Sequence, residues 1–293
     1  MNVFLVDGTY ELFRHFFAMP SAVDVEGREV GAVRGVLGSM LSMLEDDVTH
    51  LGVATDHVIE SFRNALWPGY KTGAGIEPAL FAQFHPLEDA LAALGVVVWP
   101  MTELEADDGL ASAAATARDD PRVEQVFICT PDKDLSQCVI GRQVVQFDRR
   151  AGTVRDEDGV VAKFGVRPAS IPDYLALVGD TADGFPGLRG WGAKSTALVV
   201  GRYHHLEAIP DKASAWDVKV RGADRLAGEL AGHRDLAVQF RDLATLRTTA
   251  PVLDSVDDLR WTGPRARFFD VCARLNAPGL FKRAKTLEAA RAS

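Results

Sequence analysis

The sequence predicts an α/β fold with a mainly parallel sheet, followed by a mostly helical part. Through the first 165 residues, short apolar runs alternate with segments of helical periodicity, and this alternation is typical of βαβ units. From about Val166 the strand pattern fades and helical periodicity dominates. We therefore expect a first domain over residues 1–165 and a second over 166–293, which suits a chain of 293 residues.

Hydrophobic periodicity places the elements of the first part. Its strands are short buried runs, whereas its helices repeat apolar residues every three or four positions, as Val33, Val36 and Leu37 do. Strands are predicted at residues 3–6, 51–55, 96–99, 125–129 and 144–147, and helices at 10–17, 32–44, 80–94 (bent at Pro86) and 106–117.

Between these elements, residues 57–77 carry Pro68 and three glycines and are predicted to be irregular. The second part is predicted to contain helices at 171–178, 195–203 and 225–245.

The composition is that of an ordinary globular protein, with 47% hydrophobic and 25% charged residues, which excludes fibrous and wholly disordered classes. Cys129, Cys138 and Cys272 are odd in number and lack C-x-x-C spacing, so we expect a reducing, cytoplasmic location without disulfides or a cysteine zinc site. The sequence has no stretch of 18 uncharged apolar residues and no secretory signal pattern, so no membrane association is expected.

Acidic residues follow four of the predicted strands. Because the carboxyl ends of parallel strands meet at one edge of a sheet, where ligands bind, we expect these side chains to converge. A single aspartate at such a position is more often a helix cap or a turn former, but coincidence at four strand ends is much less expected. Carboxylates placed so close together repel one another unless cations neutralise them. The residues are Asp7, Asp56, Glu105, Asp107, Asp108, Asp132 and Asp134.

The ligand type indicates the metal. Oxygen ligands favour Mg²⁺ or Mn²⁺ over zinc or copper, and the sequence has no H-E-x-x-H motif and no EF-hand loop. Asp180 and Asp183 extend the set, because one turn after the helix at 171–178 can present both to the same ion, although a plain turn would also account for them. Hard cations held by acids suit phosphoryl chemistry.

A glycine-rich turn, G-L-R-G-W-G-A-K-S-T-A, spans residues 187–197. It differs from a P-loop, because Ala193 separates glycine from lysine and because a helix precedes it. Its spacing is typical of a helix-hairpin-helix, near residues 185–203, whose backbone amides grip a phosphodiester without reading sequence. An ordinary helical turn would leave the glycines and the lysine unexplained. The candidate phosphate-binding residues are Gly187, Gly190, Gly192, Lys194 and Ser195.

Charge is distributed unevenly along the chain. The total of 41 acidic and 32 basic side chains, net −9, disfavours nucleic acid when taken as a whole. Residues 1–184 carry 14 basic and 29 acidic side chains, however, whereas residues 185–293 carry 18 and 12. The nine candidate metal ligands equal the whole acidic excess, and the basic second part suits a phosphate backbone.

Taken in order, these motifs resemble the structure-specific 5′-nucleases, the family of flap endonucleases and of the 5′→3′ exonuclease domain of bacterial DNA polymerase I. The resemblance covers most of the chain. Matching segments are residues 6–8 (V-D-G), 56 with 61–63 (D, S-F-R), 69–71 (G-Y-K), 105–108 (E-A-D-D), 130–134 (T-P-D-K-D), 179–183 (G-D-T-A-D), the helix-hairpin-helix and 243–248 (L-A-T-L-R-T).

The resemblance implies a PIN-like nuclease domain with a helical arch and at least two divalent ions, Mg²⁺ or Mn²⁺. A monovalent cation at the helix-hairpin-helix is a further candidate. Lys71 and Arg63 would lie over the scissile phosphate, and Tyr70 would stack on the terminal base. Without the resemblance, the alternative interpretations are a solvated lysine for Lys71, a surface arginine for Arg63 and a core tyrosine for Tyr70. The implied ligands are Asp7, Asp56, Glu105 and Asp107 for one ion, with Asp108 close by, and Asp132, Asp134, Asp180 and Asp183 for the second.

Two departures from the family pattern stand out. The arginine that usually follows Tyr-Lys by a few residues is absent from the run after Lys71, which removes a phosphate clamp. His57 follows Asp56 where the family has alanine, and reads either as a surface residue or as a modulator of metal binding.

We therefore expect a monomeric two-metal 5′→3′ exonuclease or flap endonuclease of replication and repair. Its substrates would be 5′ flaps and nicked or gapped DNA, with primer RNA as a further candidate. The alternatives are a PIN-type ribonuclease, which needs no helix-hairpin-helix, and a weakly active or inactive protein that binds branched DNA.

Overall fold

The computed structural model describes residues 1–292, with side chains to residue 291; Ser293, the last residue of the expected second domain, lies outside the described residues. The chain forms two compact units, each drawn from separate parts of the sequence. The first unit comprises Met1–Ile59, Gly73–Thr130 and Thr248–Ser293, and the second comprises Glu60–Thr72 and Pro131–Arg247. The division of the sequence at residue 165 stays a prediction.

The elements are numbered along the chain. The six strands are β1 (Asn2–Asp7), β2 (His50–Asp56), β3 (Val97–Met101), β4 (Gln125–Cys129), β5 (Val144–Asp148) and β6 (Thr153–Arg155). The helices are α1 (Gly8–Ala18), α2 (Gly31–Glu45), α3 (Phe62–Leu66), α4 (Pro78–Phe81), α5 (Phe84–Leu94), α6 (Ala106–Arg118), α7 (Glu157–Phe164), α8 (Ile171–Val178), α9 (Ala193–Tyr203), α10 (Ala223–Gly232), α11 (Arg234–Ala244), α12 (Phe268–Arg274) and α13 (Pro278–Ala292).

The first unit is built on four parallel strands in the order β3-β2-β1-β4. Their register aligns Asp7 with Ala54 and Asp56 with Met101, so the carboxyl ends of β1, β2 and β3 lie at one edge. Helix α6 packs on all four strands, α1 and α5 pack on β2, and α2 packs on α1, α5 and α13. The predicted α/β class with a mainly parallel sheet is confirmed.

The helix predicted at residues 80–94 is interrupted earlier than its proline indicates. Helix α4 ends at Phe81 and α5 begins at Phe84, and Gln83 lies between them with its side chain turned inward. Its amide side chain is fully buried, accepts a hydrogen bond from Val33 N and donates one to Ala79 O. Pro86 lies within the first turn of α5, where its missing N–H has no helical partner to lose.

The second unit is mostly helical, as predicted, around a core that includes Tyr174, Phe185, Val199 and Phe240. Helix α8 packs on α9 and α11. The helix predicted at 225–245 is two helices, α10 and α11, which are divided at His233 by a non-helical backbone. The sequence missed the short strand β6, which pairs antiparallel with β5, and the helices α3 and α7. Within residues 1–292, no helix combines the length and the apolar character needed to cross a bilayer.

Candidate functional site

The acidic residues of the first unit are held by backbone amides and hydroxyls. Asp7 is 7% exposed and caps α1: its Oδ1 accepts a hydrogen bond from Tyr10 N at 2.8 Å, and its Oδ2 accepts one from Thr130 Oγ1 at 3.1 Å. Asp56 Oδ1 accepts a hydrogen bond from Ala106 N at 2.9 Å. This bond ties the end of β2 to the start of α6, which is where the other acids of this unit lie.

Glu105 and Asp108 form a capping box at the start of α6. Asp108 is fully buried, and its Oδ2 accepts a hydrogen bond from Glu105 N at 3.0 Å. Capping therefore accounts for Asp108 without an ion. Glu105 is buried, and Asp107 is half-buried in the first turn of the helix. The structure thus brings the ends of β1 and β2 and the start of α6 to the same edge, and the ligand roles of Asp7, Asp56, Glu105 and Asp107 stay predictions.

In the second unit, three carboxylates converge directly. One oxygen from each of Asp134, Asp180 and Asp183 lies within 4.8 Å of the other two, and in residues 1–292 this is the group of carboxylates that meets so closely. Asp134 begins a 3-10 turn that runs to Cys138. Asp180 follows α8, where its backbone exchanges two hydrogen bonds with Phe185 and so closes the loop that carries Asp183. Asp132 lies beside the group, since its Oδ1 accepts a hydrogen bond from Asp134 N at 2.9 Å.

The electrostatics of this acidic trio (Asp134, Asp180 and Asp183) suit a cation. Burial, together with the charges of Asp132, Asp183 and Asp180, raises the pKa of Asp134 well above its ordinary value. Asp134 Oδ1 is buried and has no hydrogen-bond partner. A buried carboxylate oxygen that has no partner and lies among other carboxylates destabilises the ion-free protein. A hard divalent ion would provide the missing partner. The residues present therefore fit an Mg²⁺ or Mn²⁺ ion.

Two lysines neutralise part of this charge. Lys71 Nζ lies 3.3 Å from Asp183 Oδ1, and Lys71 N donates a hydrogen bond to Asp183 O at 3.0 Å. Lys133 Nζ lies 2.5 Å from Asp180 Oδ2. Although partial burial opposes it, this contact and the charge of Asp134 raise the pKa of Lys133, so the amine stays protonated. Lys133 is not among the site residues predicted from the sequence, although its position between two candidate ligands, Asp132 and Asp134, could have indicated it.

The loop that carries Lys71 is fixed against the loop that carries Asp183. Trp67 Nε1 donates a hydrogen bond to Gly184 O at 3.1 Å. Gly184 has φ +81°, and a Cβ there would lie 2.0 Å from Gly69 O, so only glycine fits this close approach. The backbone thus holds Lys71 beside the acidic trio.

Arg63 is buried within the second unit. The resemblance implies that it lies over the scissile phosphate, but the structure buries it to 1% exposure. Its Nε donates a hydrogen bond to Leu243 O, its Nη2 donates one to Thr245 O, and its guanidinium lies over the Phe62 ring. These contacts satisfy carbonyl groups near the end of α11, and the implied role of Arg63 at the scissile phosphate stays a prediction.

Tyr70 is 4% exposed and belongs to the hydrophobic core of the second unit. A ring this deeply buried has little surface to offer a terminal base, so its burial favours the alternative of a core tyrosine. The stacking role that the resemblance implies is not supported by this placement.

The glycine-rich turn has the expected helix after it. Gly192 precedes α9, and Ser195 Oγ donates a hydrogen bond to Gly192 O at 2.9 Å. Gly187 is buried, and a Cβ there would lie 2.4 Å from Gly179 N, so close packing requires glycine at this position. Gly192 and Lys194 are exposed. They line a groove of about 470 Å³ together with Gly190, Ser195, Leu198 and Arg221.

Two family models match consecutive parts of this chain. The model described as 5′-3′ exonuclease, N-terminal resolvase-like domain matches residues 2–165, and the model described as 5′-3′ exonuclease, C-terminal SAM fold matches residues 166–267. The chain belongs to the 5′-3′ exonuclease family.

Relatives of this 5′-3′ exonuclease family member include several bacterial DNA polymerases I. The chain is 36% identical to that of Pseudomonas aeruginosa over 264 residues, which are 87% of this chain and 28% of the relative. It is 31% identical to that of Mycobacterium leprae over 277 residues, 91% and 30% of the two chains. The chain therefore spans less than a third of the length of these relatives.

Solved structures share the fold of this family member at low sequence identity. Bacteriophage T5 5′-exonuclease with bound zinc ions has a TM-score of 0.65 and 16% identity, with 98% of each chain covered. The catalytic core of Rad2 in complex with a DNA substrate has a TM-score of 0.62 and 15% identity, with 97% of this chain and 90% of that chain covered.

Proposed function

We propose that this chain is a divalent-metal-dependent nuclease that hydrolyses phosphodiesters at 5′ ends or branches of DNA, as a 5′→3′ exonuclease and flap endonuclease. One observation carries the proposal: in a member of the 5′-3′ exonuclease family, Asp134, Asp180 and Asp183 converge within 4.8 Å, and a buried oxygen of Asp134 is left without a partner. The T5 neighbour was solved with zinc ions and the Rad2 neighbour with DNA, which supports both parts of the proposal.

The acidic trio, with Asp132 beside it, would hold one ion, and Asp7, Asp56, Glu105 and Asp107 would form a separate set for another. A bound divalent ion lowers the pKa of a water ligand and neutralises charge on a phosphodiester oxygen. Mg²⁺ or Mn²⁺ fits both sets because every donor is a carboxylate oxygen.

The chain's own basic groups complete the proposal. Lys71 is held beside Asp183 and is 29% exposed, so its ammonium can move onto a phosphodiester oxygen and stabilise charge there. The exposed groove at the start of α9 offers backbone amides, the positive end of a helix dipole and Lys194 to a phosphate further along the strand. Contacts of this kind select for backbone shape and leave base sequence unread.

The proposal is tested by incubating a labelled 5′-flap duplex, a nicked duplex and a matched RNA with the protein in EDTA, Mg²⁺ or Mn²⁺. We expect metal-dependent release of short 5′ products from DNA by the wild type and by Asp235→Asn, an exposed aspartate of α11 that serves as the control. We expect no product from Asp134→Asn. Binding of the flap without cleavage by the wild type would favour the inactive DNA-binding alternative, and cleavage of RNA alone would favour a PIN-type ribonuclease.

A further inference from the structure

Two carboxylates of the acidic trio pair with lysines, whereas the third has a buried oxygen without a hydrogen-bond partner. Asp183 lies 3.3 Å from Lys71, and Asp180 lies 2.5 Å from Lys133, whereas the buried Oδ1 of Asp134 has no partner. Asp132 lies alongside, where its Oδ1 accepts a hydrogen bond from Asp134 N.

Both carboxylate oxygens of Asp180 are engaged. Its Oδ1 accepts a hydrogen bond from Ala182 N at 3.0 Å, and its Oδ2 pairs with Lys133. The side chain of Asp180 is 4% exposed, which leaves little water to replace either partner. An ion that binds Oδ2 of Asp180 must therefore displace the Lys133 ammonium or share that oxygen with it.

Lys133 cannot diffuse away once it is displaced. It directly precedes Asp134 at the start of the 3-10 turn, and its side chain is 34% exposed. A tethered cation competes at a high effective concentration, because it is always within reach of the carboxylate. Lys71 differs, since it pairs at a longer distance and belongs to the proposed catalytic machinery.

We propose that Lys133 is a tethered counter-ion of the acidic trio, which competes with the divalent ion for Asp180 and thereby sets the affinity of that ion. It would act as a positioning residue, without touching the substrate. This inference rests on the proposed function, because it takes the acidic trio to be an ion site.

Two opposite effects follow from removing the charge of Lys133. A divalent ion at the trio loses a nearby repelling charge and a competitor for Asp180, so we expect about tenfold tighter binding. The ion-free protein loses a neutralising charge among buried carboxylates, so we expect its melting temperature to fall. A residue that simply supports the fold would lower the melting temperature and leave ion affinity unchanged or weaker.

The experiment is a direct titration of the DNA-free protein with Mn²⁺, followed by electron paramagnetic resonance or calorimetry. The variants are Lys133→Met, which keeps the apolar stem, Lys133→Arg, which keeps the charge, and Lys212→Met, an exposed control in the same unit. We expect tighter Mn²⁺ binding in Lys133→Met and wild-type affinity in the other two. If Lys133→Met does not fold, Lys133→Gln carries the same test. Equal or weaker Mn²⁺ binding by the charge-removing variant would overturn the proposal.

A parallel titration of Asp134→Asn separates this inference from the proposed function. If the wild type and Asp134→Asn bind the same number of Mn²⁺ ions with the same affinities, the acidic trio is no ion site and the proposed function fails with it. If Asp134→Asn loses an ion but Lys133→Met binds no tighter, only the role of Lys133 fails. Melting curves in EDTA and in saturating Mn²⁺ add a second readout, because we expect the deficit of Lys133→Met in EDTA to disappear with Mn²⁺.

Discussion

The two units hold their acidic residues in different ways. In the first unit, Asp7, Asp56 and Asp108 each accept a hydrogen bond from a backbone amide at a strand end or a helix start. In the second unit, Asp180 and Asp183 pair with lysines, and Asp134 keeps a buried oxygen without a partner. The first set therefore contributes to folding whether or not an ion is present, whereas the second is a net cost to the ion-free protein.

This difference predicts opposite responses to the loss of a carboxylate charge. Where an aspartate caps a helix, a neutral isostere keeps the capping bond and changes stability little. Where carboxylates crowd together in the interior, a neutral isostere removes repulsion and stabilises the ion-free protein.

The largest effect is expected for Asp134→Asn. We expect cleavage of a 5′ flap to fall by about 10³-fold or more, because the substitution removes a proposed ion ligand. We also expect the ion-free protein to gain about 1–2 kcal/mol of unfolding free energy, because an uncompensated buried charge disappears. Nuclease assays in Mg²⁺ and urea unfolding in EDTA measure the two quantities.

The gain in unfolding free energy expected for Asp134→Asn should depend on pH in a defined direction. Burial and the charges of Asp132, Asp183 and Asp180, opposed by Lys133, raise the pKa of Asp134, so the folded ion-free protein holds a proton that the unfolded chain has lost. Stability then falls as pH rises from about 4 through the raised pKa. Asp134→Asn lacks this slope, so its advantage in EDTA should be larger at pH 8 than at pH 5. An advantage that is constant with pH would contradict this assignment.

A smaller loss is expected for Lys71→Met. The ammonium that is proposed to stabilise phosphodiester charge disappears, and we expect kcat to fall by about 10²-fold. The lysine is partly exposed, so we expect its removal to change the unfolding free energy by less than about 1 kcal/mol. Single-turnover cleavage and urea unfolding test both expectations, with Lys212→Met as the matched lysine control. A large loss of stability with unchanged kcat would show Lys71 to be structural.

Asp7 allows capping and ion binding to be separated in the first unit. Asparagine is a good N-cap, so Asp7→Asn should keep the bond to Tyr10 N and most of the stability, while Asp7→Ala should cost about 1 kcal/mol. Both should lower metal-dependent cleavage if Asp7 is an ion ligand. If Asp7→Asn retains full activity at limiting Mg²⁺, the cap is the whole role of this residue.

The sequence predicted the parallel sheet and most of the helices because periodicity and strand length are local properties. It also selected Asp134, Asp180 and Asp183 from their positions after a strand and a helix. It did not reveal the ion pair between Lys133 and Asp180. Nor did it reveal that Arg63 is buried and donates hydrogen bonds to the carbonyl groups of residues 243 and 245. Both depend on contacts between segments that are distant in the sequence. Nor did it show the packing of Gly187 against Gly179, where a motif glycine serves the fold.

The smallest effect on stability is expected for Glu207, a carboxylate that pairs with an arginine instead of lying among other carboxylates. The hydrogen bonds of Arg241 lower the pKa of Glu207 to about 2 from an ordinary 4.5, so its contribution is present above pH 4.5 and is lost as pH falls towards 2. Glu207 is 60% exposed, so the pair contributes less than about 1 kcal/mol. Glu207→Gln should therefore be slightly less stable than the wild type at pH 7 in urea unfolding, and the gap should narrow at pH 3. This dependence is opposite in sign to that of Asp134, and a gap that widens at pH 3 would mean that paired and crowded acids respond alike.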